Sequence, residues 1–275
     1  MNLHISEQLS YATVRIECIT NDNYISTGSG FIFNFKDNEQ QNTQIPVLIT
    51  NKHVIRNTKE GKIIFSQKNA HGEADDKNHF SVSIKGFEKL WIMHPDEDVD
   101  LCAMPIGPLV HQAAELNQEL FYVSLSTALI PNGEQLNSLS AMEEIVMVGY
   151  PNGLWDSVNN KPIFRKGVTA THPRLDYNGK KEFMIDASCI PGSSGSPVFL
   201  VNENGYSDRN GNMYLGAKRV MLLGILYAGP QLTTQGEIKV FDVPTAQRAF
   251  SVVNIPINLG LVIKSERILE LENVF

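Results

Sequence analysis

Short runs of β-forming residues, each closed by a turn, set the limits on what this chain folds into. TVRIECI (13–19), GFIFNF (30–35), PVLIT (46–50), KIIFS (62–66), FSVSI (80–84) and DLCAMPI (100–106) mark the first half. EIVMVGY (144–150), EFMIDA (182–187), SPVFLV (196–201) and VMLLGILY (220–227) mark the second. They are rich in Val, Ile and Phe and bounded by Gly, Asn, Asp or Pro, which supply turns. Many short strands and little helical periodicity predict an all-β barrel or sandwich. Two helices are expected, a weak one over HQAAELNQEL (111–120) and a better one over SERILELENVF (265–275). In the second, Ser265 can cap and Ile268, Leu269 and Leu271 can share a face. Polar stretches 37–44, 67–78, 156–161 and 202–212 read as loops, and 124–140 as the link between two halves.

Charge and cysteine usage narrow the partners. The net charge is −7 and the pI about 5.5, which argues against nucleic acid or an anionic membrane surface. No apolar run is long enough for a membrane span, and the N-terminal residues lack the pattern of a secretory leader. Cys18, Cys102 and Cys189 are odd in number and widely spaced, so neither a zinc site nor a disulfide framework is expected. Reduced thiols in the cytoplasm are the simplest account. No metal and no cofactor is expected.

PGSSGSPVF (191–199) is the segment with chemistry in it. A serine hydroxyl needs a neighbouring base, a group that orients the base, and donors for the oxyanion that forms. Glycines beside the serine let backbone N–H groups converge. Ser194, two residues after Gly192 and just before Gly195, fits a nucleophile best; a plain Ser/Gly loop is the alternative. All seven histidines precede Ser194, which disfavours the Ser–acid–His order of α/β-hydrolases. His53 ends the apolar run PVLITNKHVI, where rigid backbone would hold an imidazole. Asp100 lies where the acidic turn DEDVD gives way to an apolar run. There a buried carboxylate would need an imidazole N–H, and a solvated turn of Asp96, Asp98 and Asp100 is the other reading.

Together, ITNKHVI, DVDLCAM and IDASCIPGSSGSPVF resemble the His, Asp and Ser motifs of the trypsin/chymotrypsin-like serine proteases, and most closely the bacterial Deg-type (high-temperature-requirement) branch. His53 and Asp100 are 47 residues apart, a separation similar to that branch's catalytic domain, as is the distance from Asp100 to Ser194. GSGFIF (28–33), VGYPNGL to FRKGVTA (148–170), LLGILYAG (222–229) and NLGLVIKSERIL (258–269) follow in the family's order. The resemblance implies a single domain over 1–275: two six-stranded antiparallel β-barrels, about 10–120 and 140–264, and a C-terminal helix at 265–275. It implies a serine endopeptidase with Ser194 as nucleophile, His53 as general base and acid, and Asp100 orienting His53. The backbone N–H groups of Gly192 and Ser194 would form the oxyanion hole. Ser188 would lie at the base of the specificity pocket, and Ala228, Gly229 and Gly260 would line its walls. With no carboxylate at the base, an apolar side chain is expected before the scissile bond of a protein or peptide substrate. Tyr227 and Leu226 read as barrel packing and Cys189 as a buried packing residue.

Two departures bear on activity. Ser196 stands where the family has glycine, and Ser193 stands where digestive members have the aspartate that pairs with a freed N-terminus. With no Ile-Val-Gly-Gly start and no appended peptide-binding domain, the site is expected to be preformed, or ordered by a ligand or an activating protein partner. A catalytically silent or partner-activated binding module is the alternative to an enzyme.

Overall fold

The computed structural model describes residues 3–38, 43–238, 249–256 and 258–275. The first half holds eight strands: β1 (Thr13–Thr20), β2 (Ile25–Asn38), β3 (Thr43–Thr50), β4 (Thr58–Lys68), β5 (Ala74–Lys85), β6 (Ile92–Met93), β7 (Cys102–Pro105) and β8 (Leu120–Phe121). They form one sheet in the order β5-β4-β1-β2-β3-β7-β6, with β8 on β4. The second half adds β9 (Glu144–Gly149), β10 (Ile163–Thr169), β11 (Glu182–Asp186) and β12 (Pro197–Asn202). A ribbon of β13 (Gly205–Ser207) and β14 (Met213–Leu215) precedes β15 (Arg219–Ala228). A second ribbon, β16 (Gln231–Ile238) and β17 (Ala249–Pro256), precedes β18 (Leu259–Lys264). Six of these close a barrel, β10-β11-β18-β15-β12-β9. The fold is mostly β and trypsin-like. The second barrel closes with six strands as expected, whereas the first half is an eight-stranded sheet.

Burial follows the alternation of the strands. On β3, Leu48 faces one core while Val47 and Ile49 face another. On β2, Ile32 joins the first core, and Phe31, Phe33 and Phe35 the second. Because both faces of these central strands are covered, PVLIT and GFIFNF read as nearly continuous apolar runs. The second core also takes Val148, Phe199, Leu222, Ile225 and Ile263 from the barrel, so it joins the two halves. A third core, with Met147, Phe183 and Val198, fills the barrel. Each fully buried Phe or Leu in these clusters contributes about 1.5–3 kcal/mol, and this holds the cleft between the halves in shape.

Helices are few and peripheral. α1 (Ile5–Ala12) was not anticipated from the sequence; a capping box of His4 and Glu7 starts it, and Leu9 and Ala12 bury in the joining core. α2 (Lys52–Ile55) is a single turn after β3. α3 spans Gly107–Glu115 and begins with Pro108 in its first turn, earlier than the expected 111–120. α4 (Gly133–Ser138) lies inside the linking stretch. α5 (Arg267–Glu272) is shorter than expected. Ser265 does not cap it by side chain; its carbonyl accepts the Ile268 N–H. Ile268 and Leu271 are buried there, while Leu269 is exposed. The polar stretch 67–78, expected as a loop, is mostly strand, with 67–68 in β4, 74–78 in β5 and only 69–73 as the hairpin turn, and the side chains of 37–43 lie outside the described residues.

Candidate active site

β3 and β7 pair antiparallel with Thr50 opposite Cys102. That register brings together the residues just after β3 and those just before β7. His53 sits in α2, pinned by Val54 and Ile55, which bury in the first core. Asp100 precedes the fully buried Leu101. The Asp100 carboxylate accepts the His53 backbone N–H at 3.0 Å and meets His53 Nδ1 at 2.5 Å. Asn51, fully buried, donates from Nδ2 to the Asp100 carbonyl at 2.8 Å. Burial opposes ionisation of Asp100, but hydrogen bonds from the His53 ring and backbone, with the nearby charges of His53 and Arg56, outweigh it. The carboxyl is held below the usual aspartate range. A carboxylate on Nδ1 leaves Nε2 as the free basic nitrogen of the ring.

The loop that carries Ser194 approaches from the barrel. Gly192 and Gly195 have φ of 82° and 83°, the left-handed region that glycine tolerates. A Cβ on Gly192 would lie 2.7 Å from the Tyr150 carbonyl, and one on Gly195 1.9 Å from the Ser29 carbonyl. Both glycines are therefore required by space as well as by torsion. The Ser193, Gly195 and Ser196 N–H groups are tied to Ile190, Leu226 and Ser193 carbonyls. Among the described residues, the Gly192 and Ser194 N–H groups donate to no protein acceptor. Ser194 Oγ makes its hydrogen bond to the Tyr227 carbonyl at 3.4 Å and none to His53.

Ser196, where the resembled family has glycine, packs against Gly149. It is fully buried and its hydroxyl has no hydrogen-bond partner. Its room comes from Gly149, where a Cβ would fall 2.0 Å from Ser196 Oγ. The serine side chain occupies the space where the neighbouring strand lacks one.

His53 and Ser194 line one cleft of about 450 Å³. Gly192, Ala228 and Gly229 line it too, as do Cys189, Ile190, Pro191, Leu226 and Tyr227. Ser188 and Gly260 lie outside that lining. The Ser188 carbonyl instead accepts from Arg165 Nη1. Gly260 backs onto Cys189 Sγ and Leu226, which a Cβ would meet at 2.5 and 2.6 Å. Cys189 is thus both packed and a pocket wall, and burial pushes its thiol up to about 11. His53 is the one ionisable imidazole, amine or carboxyl side chain in the lining. No group of residues suited to a metal ion occurs among the described residues.

Reasoning from the sequence missed Ser29 and Arg165. Ser29 accepts the Tyr150 N–H on Oγ at 2.9 Å and donates to the Gly192 carbonyl at 3.0 Å, while its own N–H reaches the Ser194 carbonyl at 2.8 Å. The only local signal was its place in GSGFIF, between two small residues.

Residues 28–205 match the trypsin-like peptidase domain family. No curated protein matches the chain. Among solved structures it is similar to the HtrA-type protease AlgW with a tripeptide, at 14% identity and a TM-score of 0.49, over 97% of this chain and 60% of that one. It is similar to the active form of the Rv3671c protease of M. tuberculosis, at 13% identity and 0.47, over 96% and 80%. It is also similar to the serine endoprotease of Yersinia pestis, at 14% identity and 0.48, over 100% and 67%.

Proposed function

The chain belongs to the trypsin-like peptidase family, and on that premise we propose that it is a serine endopeptidase working as one domain, with its cleft between the sheet and the barrel. The family implies a protein or peptide substrate. The observation that carries the proposal is the joint placement of the Asp100-bound His53, Ser194 and two unengaged N–H groups at one cleft.

Rotation about χ1 takes the Ser194 hydroxyl from the Tyr227 carbonyl toward His53 Nε2. As Oγ attacks the scissile carbonyl, Nε2 takes its proton, and Asp100 stabilises the imidazolium through Nδ1–H. The Gly192 and Ser194 N–H groups donate to the oxyanion. His53 then protonates the leaving amine, and a water activated by the same imidazole hydrolyses the acyl-enzyme. The walls of Cys189, Leu226 and Ala228 suit a small apolar side chain before the scissile bond, since filling them with a charge would strand it. Three buried free thiols support placement in the cytoplasm, which cell fractionation would check.

A second reading, a module that is silent until a partner binds, draws on one observation: Ser194 Oγ rests on Tyr227 and not on His53. Labelling with a fluorophosphonate probe separates the two. Wild type is expected to label alone, and Ser194→Ala and His53→Ala to lose the label. Folded wild type that stays unlabelled would overturn the enzyme reading.

A further inference from the structure

Arg165 lies on β10 opposite Met147 of β9, and directly opposed residues share a face. Met147 points into the barrel core, so Arg165 is carried inward while its neighbours Phe164 and Lys166 are exposed. The guanidinium uses one nitrogen, Nη1, for two bonds: 2.7 Å to Ser193 Oγ and 2.7 Å to the Ser188 carbonyl. Ser193 is 1% exposed. Nε and Nη2 are buried without a hydrogen-bond partner, and among the described residues no carboxylate pairs with this cation. Burial brings its pKa down to about 10. A buried guanidinium facing only neutral acceptors is costly to keep, so its value to the fold lies in what it holds.

What it holds is the stretch between Ser188 and Ser193. Those two residues bracket Cys189, Ile190, Pro191 and Gly192, which form one side of the cleft. We propose that Arg165 is the positioning residue of the nucleophile loop: by binding both ends of 188–193 through one nitrogen, it fixes the path that presents the Gly192 N–H and Ser194 to the cleft. The loop is thereby held by a side chain of the barrel itself. This rests on the endopeptidase reading for its catalytic consequence, but the staple itself does not.

The test compares wild type with Arg165→Met, Arg165→Lys and Ser193→Ala, by hydrogen–deuterium exchange and by turnover of a peptide with an apolar residue before the scissile bond. The amides of Ser193 and Ser196, bonded within the loop, are expected to exchange about tenfold faster or more in Arg165→Met, with β12 and β15 unchanged. Turnover is expected to fall about 100-fold in kcat, the cost of misplacing reacting groups, with KM little altered. Lys, whose single ammonium can donate to both acceptors but sits on a stem one atom shorter than Nη1, should restore part of kcat, and Ser193→Ala should lose part. Unchanged loop exchange overturns the staple, and faster exchange with unaltered kcat overturns its role in positioning. If Arg165→Met does not fold, wild-type exchange in both Arg165→Lys and Ser193→Ala overturns the proposal. If wild type neither labels nor cleaves, the endopeptidase reading fails while the exchange comparison still decides the staple.

Discussion

The Ser29 hydroxyl, on a strand of the first sheet, donates to the Gly192 carbonyl, in the loop that carries Ser194, at 3.0 Å. The same oxygen accepts the Tyr150 N–H, and the Ser29 backbone N–H holds the Ser194 carbonyl. Two carbonyls of the loop are thus turned toward the sheet. The unengaged Gly192 and Ser194 N–H groups are left on the cleft side. Ser29→Ala is expected to orphan the buried Tyr150 N–H and the half-buried Gly192 carbonyl, costing about 1–3 kcal/mol, and to lower kcat more than it raises KM. Urea unfolding and steady-state kinetics on one preparation check both parts.

Gly195→Ala tests how tightly the loop meets the sheet. Its Cβ would lie 1.9 Å from the Ser29 carbonyl and 2.5 Å from Thr50 Oγ1, at a φ of 83°. Neither backbone can yield without breaking the Thr50 Oγ1–Ser29 carbonyl bond or the Ser29–Ser194 bond. The expected loss is about 3 kcal/mol or more, lowering Tm by roughly 10 °C. Calorimetry showing a Tm near wild type would contradict this packing.

Asp100→Asn keeps the volume and removes the charge. The carboxylate now binds both His53 Nδ1 and the His53 N–H. An amide can present its NH₂ to Nδ1, which puts the ring proton on Nε2, where the base must be free. The expected fall in kcat is about 10⁴-fold, with the fold retained by circular dichroism. A loss below tenfold would mean that Asp100 does not set the tautomer.

His94 makes stability dependent on pH. Its ring is fully buried, with Nδ1 accepting the Asp96 N–H at 3.1 Å and Nε2 donating to the Arg267 carbonyl at 3.2 Å. Burial, then the Arg267 charge, lowers its pKa from the ordinary 6.5, against opposing hydrogen bonds and the charge of Glu270. The unfolded chain therefore binds the proton first as pH falls. The His94 contribution is complete above about 6.5 and is lost progressively below it, until the folded ring also protonates, by at most about 1.4 kcal/mol per pH unit. Urea midpoints at about pH 7.5 and about pH 5.5 should differ more in wild type than in His94→Gln.

Several features were legible because they are local. Strands such as PVLIT and EIVMVGY appear where the apolar runs place them, since pleating and turn residues act over a few positions. His53, Asp100 and Ser194 stood out because each sits where an apolar run meets a turn, and the structure brings all three to the cleft region. Leu269 and Ser265 misled because a short apolar helix does not say which face its neighbours cover. The walls of the pocket were harder to read. Ser188 and Gly260 lie outside the lining and Cys189 inside it, because pocket shape depends on how β11, β15 and β18 stack.

The sequence by itself determined a β-rich chain, a glycine-framed serine, and a histidine and aspartate at strand ends, because periodicity, turn chemistry and motif spacing act along the chain. Only the tertiary structure decided that Ser29 and Arg165 bond to the loop that carries Ser194 and that Gly149 lies against Ser196. Ser29 and Gly192 are 163 residues apart, and contacts between such distant residues are set by the packing of sheet on barrel, which no local pattern encodes.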